Sequence, residues 1–126
     1  MSKVIYNTAD APAPIGPYSQ AVSANGMLFV SGQIPIIPQT GELENSGISA
    51  ETEQVMKNLQ AILTEAGTDF RSVVKTSIFI ADMDDFAAVN EVYGKYFTAE
   101  PPARETVAVR TLPKSVNVEI SCIAVL

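Results

Sequence analysis

Between Val55 and Ala81 the hydrophobic period of the chain switches from helix to strand within a few residues, and this switch constrains the fold more than any other feature. Val55, Met56, Leu59, Ile62, Leu63 and Ala66 recur at i, i+3, i+4 spacing, so they form one buried face of a helix that Gly67 stops. Ser49 offers a hydroxyl to cap its start. From Arg71 to Ala81 the chain alternates instead. Val74, Thr76, Ile78 and Ile80 fall on one side and Val73, Lys75, Ser77 and Phe79 on the other, which predicts a central strand.

The rest of the chain supplies partners for that pair. Lys3–Asn7 reads as a short strand, and Pro12, Pro14, Gly16 and Pro17 fix the loop after it. Gln20–Ala24 and Met27–Ser31 flank Asn25-Gly26, the dipeptide best suited to positive φ at both centres of a type I′ hairpin turn. Gly32 to Gly47, with Pro35, Pro38 and Gly41, predicts a long irregular connection. Asp82 caps a second helix through Phe97, because Phe86, Val89, Tyr93, Tyr96 and Phe97 recur near a 3.6 period, and Pro101-Pro102 ends it. Two strands, Arg104–Arg110 and Val116–Val125, close the chain through Leu112-Pro113-Lys114-Ser115.

This order implies an α+β fold, a six-stranded sheet with two helices on one face. Several strands are apolar on both sides, so the uncovered face needs a partner and an oligomer is expected. With 126 residues the chain is read as a single domain, 1–126.

Composition removes several chemistries. There is no histidine and one cysteine, so a Ser-His-Asp triad, a Cys-His dyad, an imidazole-ligated metal, a structural zinc site and an internal disulfide are all excluded. A net charge of −6 argues against gripping phosphate backbones, so nucleic acid is not an expected partner. Val4-Ile5-Tyr6, the first apolar group, is too short for a signal-peptide core or a membrane span; a soluble cytoplasmic protein without membrane partners is expected.

Few local motifs carry chemistry. Neither GxGxxG nor GxxxxGK[ST] occurs, and Ser72-Val73-Val74-Lys75 matches SxxK without the companion SDN and KTG motifs. Asp82, Asp84 and Asp85 suit the first turn of a helix better than a cation site. Arg104 follows two prolines at the start of a strand. Its guanidinium fits a small carboxylate, and the alternative is a surface ion pair with Glu105 or Glu100. Tyr18 and the Ser31-Gly32 segment are either turn punctuation or the wall of a pocket, with Gly32 allowing a close approach. Cys122, in the middle of a strand, reads as a buried, unreactive thiol.

Taken in order, Ala13-Pro14-Ile15-Gly16-Pro17-Tyr18, Val30-Ser31-Gly32-Gln33-Ile34-Pro35, Asn58-Leu59, Val74-Lys75-Thr76, Asp85-Phe86, Val89-Asn90, Pro102-Ala103-Arg104, Leu112-Pro113 and Val118-Glu119-Ile120 resemble the RidA (YjgF) family of reactive-intermediate deaminases. The resemblance spans nearly the whole chain. It implies a chorismate-mutase-like, YjgF-type protomer and a homotrimer whose sheets form a barrel, with ligand clefts between subunits. The implied reaction is cofactor-free hydrolysis of 2-imino acids, formed from enamines such as 2-aminoacrylate, to 2-oxo acids and ammonia. An imine carbon is already electrophilic, so orientation and a placed water supply most of what the reaction needs.

By the same resemblance Arg104 holds the substrate carboxylate, the Thr106 backbone and Ser31-Gly32 complete the cleft, and Tyr18 and Asn90 line or support it, Tyr18 across a subunit boundary. The family's last strand usually reads E-I-E, its second glutamate being the one associated with the hydrolytic water. Glu119-Ile120-Ser121 puts Ser121 there, able to hydrogen-bond a water but not to act as a comparable base. Glu105 follows Arg104, and strand alternation turns it away. The leading expectation is an imine hydrolase of weakened or shifted activity. The alternative is a noncatalytic module that binds small 2-oxo or other carboxylic acids in the same cleft. A ribonuclease, a label borne by relatives, fits poorly with the acidic balance and absent histidine.

Overall fold

Six strands and two helices form in the order the periodicity implies. The computed structural model describes residues 2–126. Strands β1 (Val4–Tyr6), β2 (Ala21–Ala24) and β3 (Met27–Gln33) precede helix α1 (Ile48–Glu65). Then come β4 (Val73–Ile80), α2 (Phe86–Gly94), β5 (Ala103–Ala108) and β6 (Val118–Val125). The sheet order is β1-β2-β3-β6-β4-β5. Only β4 and β5 run parallel, and the other neighbours are antiparallel, so the sheet is mixed.

The β2–β3 turn has Asn25 at φ 52° and Gly26 at φ 73°, the positive values that a type I′ turn requires. Helix α1 buries Val55, Met56, Leu59, Ile62 and Leu63 against the sheet, where Leu28, Ile78, Ile80, Val118 and Ile120 meet them in one core. Helix α2 packs beside α1 and buries Val89, Val92 and Tyr93. Asn58, buried in α1, donates to the carbonyls of Ile34 and Ile36 at 3.2 and 3.0 Å and so fastens the irregular segment after β3 to the core.

Several boundaries differ from expectation. Gly47, not Ser49, occupies the α1 N-cap, and no side chain caps it. Asp82 caps a single 3-10 turn, Met83–Asp85, by accepting from the Asp84 N–H at 2.9 Å, and α2 begins only after that turn. It ends at Gly94, short of Phe97. In β4 the register shifts between Val73 and Lys75, which buries Val73 and exposes Val74, the reverse of strict alternation.

The face of the sheet away from the helices carries Phe29, Val107 and Val125, all exposed, with Phe79 and Ile123 half-buried among them. No helix among the described residues is long and apolar enough to cross a membrane.

Candidate functional site

A cavity of about 450 Å³ opens beside β3. Tyr18, Ser31 and Gly32 line it, three of the residues singled out from the sequence, together with Ile15, Ile34 and Glu119. Its walls are fixed by polar side chains that make local backbone bonds. Gln20, 2% exposed, accepts from the Thr8 N–H at 2.7 Å and donates to the Thr8 and Pro12 carbonyls at 3.0 and 2.9 Å, holding the proline-rich loop over the strand. The Ser31 hydroxyl donates to the Ser19 carbonyl at 2.6 Å, and the Tyr18 hydroxyl accepts from the Ile15 N–H at 3.2 Å.

Gly32 has a specific steric role. The β3–β6 register slips between Val30 and Gln33, because Val30 pairs with Cys122 and Gln33 with Ile120. Ser31 and Gly32 together therefore oppose Ser121, a bulge that bends β3 at the cavity. Into the space beside Gly32 comes the Glu119 side chain: a Cβ on residue 32 would lie 2.9 Å from the Glu119 carboxyl carbon and 3.1 Å from its Cγ. The close approach at Gly32 accords with its glycine; the partner, the Glu119 side chain, is set by the register of β3 against β6. Burial holds the Glu119 carboxyl above its ordinary pKa of 4.5.

Ser121, the residue expected to hold the water, lies on the same strand as Glu119. Ser121 is not among the residues lining the cavity, where the carboxylate on the wall is Glu119, two residues earlier. The signal was present in the sequence. Val118, Ile120, Cys122 and Ala124 are buried, and a charged residue interrupts this apolar strand only at position 119. Lys114 also lines the cavity, in a tight turn where Lys114 and Ser115 both adopt φ 55°.

Arg104, Asn90 and Thr106 form a second cluster, at the β5 edge of the sheet. Arg104 pairs in register with Thr76 of β4 and faces α2. Phe86, Asn90 and Tyr93 sit at i, i+4 and i+7, so one face of α2 presents all three to it. The Arg104 Nη1 donates to Asn90 Oδ1 at 2.5 Å, and its guanidinium carbon stands 5.6 Å from the Phe86 ring centre and 5.1 Å from that of Tyr93. The surface ion pair considered for Arg104 does not form. Glu105 turns to the opposite face, where it accepts from Ser77 at 2.5 Å and pairs with Lys75 at 3.0 Å, contacts that hold its carboxyl below the usual range. Among the described residues Arg104 makes no salt bridge. The Thr106 Oγ1, two residues on, is buried without a hydrogen-bond partner.

One chain does not bring the two clusters together. Glu119 pairs with Phe79 and Arg104 with Thr76, on strands either side of β4 and three residues apart along it. At ~4.8 Å per strand and ~3.3 Å per residue their backbones are about 14 Å apart, and their side chains project from opposite faces of the sheet. Cys122 is buried, and desolvation pushes its thiol up to about 12, so it is inert as a nucleophile. No group of three or more His, Cys, Asp or Glu side chains among the described residues could hold a metal ion.

A single-domain mixed sheet with both helices on one face, a cavity beside a bulged strand and an arginine oriented at the opposite edge together define the class of protein. Residues 8–126 match the family described as Endoribonuclease L-PSP. The chain is 48% identical to "Reactive Intermediate Deaminase A, chloroplastic" of Arabidopsis thaliana, over 100% of this chain and 67% of that one. It is 47% identical to the 2-iminobutanoate/2-iminopropanoate deaminase of Mus musculus, over 96% and 90% of the two chains. Its fold superposes on the crystal structure of the Rid-family protein YyfA from Yersinia pestis with a TM-score of 0.97 at 48% identity, covering 99% of this chain and 100% of that chain. The chain belongs to this family, the RidA (YjgF) family.

Proposed function

We propose that the chain hydrolyses 2-imino acids to 2-oxo acids and ammonia, in a cleft built by two copies of itself. The observation that carries this reading is the state of Arg104. Its guanidinium is oriented by a neutral amide and two aromatic rings, and no carboxylate of the described residues neutralises it. A cation held in this way has N–H donors and full charge to offer a substrate carboxylate. The deaminase names of the plant and mouse relatives support the same chemistry.

Glu119 supplies the second function. Its burial favours the neutral form, which raises its basicity as a carboxylate and suits it to take a proton from water. Water oxygen adds to the imine carbon while Glu119 takes the proton. That proton passes to the substrate nitrogen; the hydroxyl of the resulting carbinolamine then gives up its own proton, relayed by Glu119 to the same nitrogen, so the carbonyl forms as the C–N bond breaks and ammonia leaves. Ser121 has no part in these steps.

The uncovered sheet face, with Phe29, Val107 and Val125, gives copies of the chain a surface on which to associate. A homotrimer that joins the Arg104 edge of one protomer to the Glu119 cavity of the next completes the site, and Tyr18 then reaches the substrate from across the boundary.

The test generates 2-iminopropanoate with a serine dehydratase and follows its decay. Wild-type protein is expected to accelerate decay, and Arg104→Ala and Glu119→Gln each to abolish most of the acceleration. Mixing the two variants after joint unfolding and refolding restores about a quarter of the sites, since a heterologous ring then contains clefts with both native residues. No acceleration, with wild-type and Arg104→Ala equal, overturns the hydrolase. Calorimetric binding of 2-oxobutyrate without turnover would replace it with carboxylate binding alone.

A further inference from the structure

Tyr93 packs against the buried side of Arg104, and none of the chemical steps above uses it. Its ring centre is 5.1 Å from the guanidinium carbon, closer than that of Phe86, and it is 5% exposed. Its hydroxyl lies 2.7 Å from that of Thr76, itself 1% exposed. Thr76 is the residue paired with Arg104 across the β4–β5 ladder. The ring beneath the guanidinium is thus tied to the same level of the sheet that carries the arginine backbone. A tyrosine serving the core alone needs only some hydrogen-bond partner for its hydroxyl. Here the partner is the one that fixes the ring relative to Arg104.

We propose that Tyr93, anchored through its hydroxyl by Thr76, is a positioning residue that holds the Arg104 guanidinium in the orientation that receives the substrate carboxylate. The inference rests on the reading of Arg104 as the carboxylate clamp. Asn90 fixes one end of the guanidinium by a hydrogen bond, and the Tyr93 ring fixes its plane from below by a cation–π contact. Because a substrate carboxylate keeps its charge from ground state to transition state, misplacing the guanidinium weakens both equally. The loss then appears in KM and not in kcat.

Tyr93→Leu removes the ring, Tyr93→Phe keeps it and removes the anchor, and Thr76→Val removes the same anchor from the other side. Tyr93→Leu is expected to raise KM about tenfold, the factor one cation–π contact commands, with kcat within about twofold. Tyr93→Phe and Thr76→Val are each expected to raise KM by about threefold, and the double variant no further, since both remove one bond. A purely structural role would lower the melting temperature and the amount of active protein, leaving KM unchanged. That result overturns the proposal. If Tyr93→Leu does not fold, the two anchor variants decide, and an unchanged KM in both overturns it as well.

A second measurement is independent of catalysis. In protein labelled with 15N-arginine, the Arg104 Nε–H signal, assigned by its loss in Arg104→Ala, is expected to be shifted by the Tyr93 ring current and to move in Tyr93→Leu. If the wild-type protein hydrolyses no imine yet this signal moves, the positioning stands while the hydrolase reading falls. A signal unmoved in every Tyr93 variant removes the positioning whatever the activity.

Discussion

Replacing Gly32 with alanine adds one methyl group to the chain, and its consequence can be worked from the positions around it. Gly32 is not in the positive-φ region, so its backbone accepts an L-residue. The obstacle is Glu119, whose carboxyl carbon and Cγ would lie 2.9 and 3.1 Å from the new Cβ. Real Cβ atoms essentially never come within 3.0 Å of another heavy atom, so the end of the Glu119 side chain must swing away and take its carboxylate off the cavity wall. Catalysis then loses its base, a loss of about 10²–10⁴-fold in kcat. Stability moves the other way. The displaced carboxylate escapes its desolvation, and Gly→Ala at a compatible site stabilises by about 0.4–1 kcal/mol through the unfolded chain. The melting temperature is therefore expected to hold or to rise by about 2–5 °C. The assay pairs imine decay with a thermal melt, and adds Gly32→Ala in a Glu119→Gln background. If Gly32 acts through Glu119, the double variant is no slower than Glu119→Gln alone. Multiplicative losses, or wild-type turnover in Gly32→Ala, would refute the reasoning.

Two further outcomes follow from single groups. Glu119 must be ionised to accept a proton, so kcat/KM is expected to fall with pH along an acid limb lying above 4.5, its ordinary pKa, and the limb should vanish in Glu119→Gln. Its raised folded-state pKa means that the stability it contributes is fully present below 4.5 and is lost as pH rises through the folded value, so Glu119→Gln is expected to melt higher than wild type at neutral pH. Asn58→Ala leaves the buried Ile36 carbonyl and the half-buried Ile34 carbonyl without their donor, costing about 1–3 kcal/mol in urea unfolding, and raises KM because Ile34 and Ile36 line the cavity. Unchanged stability with unchanged KM would remove Asn58 from the construction of the wall.

Most of the sheet was legible because the residues that build it answer to local periodicity. Asn25-Gly26 dictates its own turn, and α1 follows its apolar stripe. The failures have a common physical origin in contacts made far along the chain. Val73 is buried with Thr76 and Ile78 instead of falling on the opposite side as alternation places it, because β4 slips one register against β6, and periodicity within a strand cannot report what its neighbour does. Ser49 is a good capping residue, yet the helix begins one residue before it, where Gly47 at φ 135° makes the turn. The site was legible in its parts. Tyr18, Ser31, Gly32, Asn90 and Arg104 all stand in one of the two clusters. Glu119 was missed because its role depends on the bulge at Ser31-Gly32, which exists only in the pairing of β3 with β6.

The separation of the two clusters has an electrostatic consequence for the proposed chemistry. Placed side by side in one chain, Arg104 and Glu119 would form an ion pair. The cation would lower the carboxyl pKa and the carboxylate would occupy the donors meant for substrate. The sheet prevents this by setting them on strands either side of β4 and on opposite faces. Glu119 keeps the raised pKa that burial alone confers, and Arg104 keeps its charge uncancelled by any described carboxylate. In the proposed assembly a neighbouring copy would bring the two to one cleft, where the substrate would lie between them and its own carboxylate would neutralise the guanidinium. The base therefore meets the imine with its proton affinity intact. An acid/base site without histidine works near neutral pH on this condition, since a carboxylate paired with arginine would be too weak a base to take a proton from water.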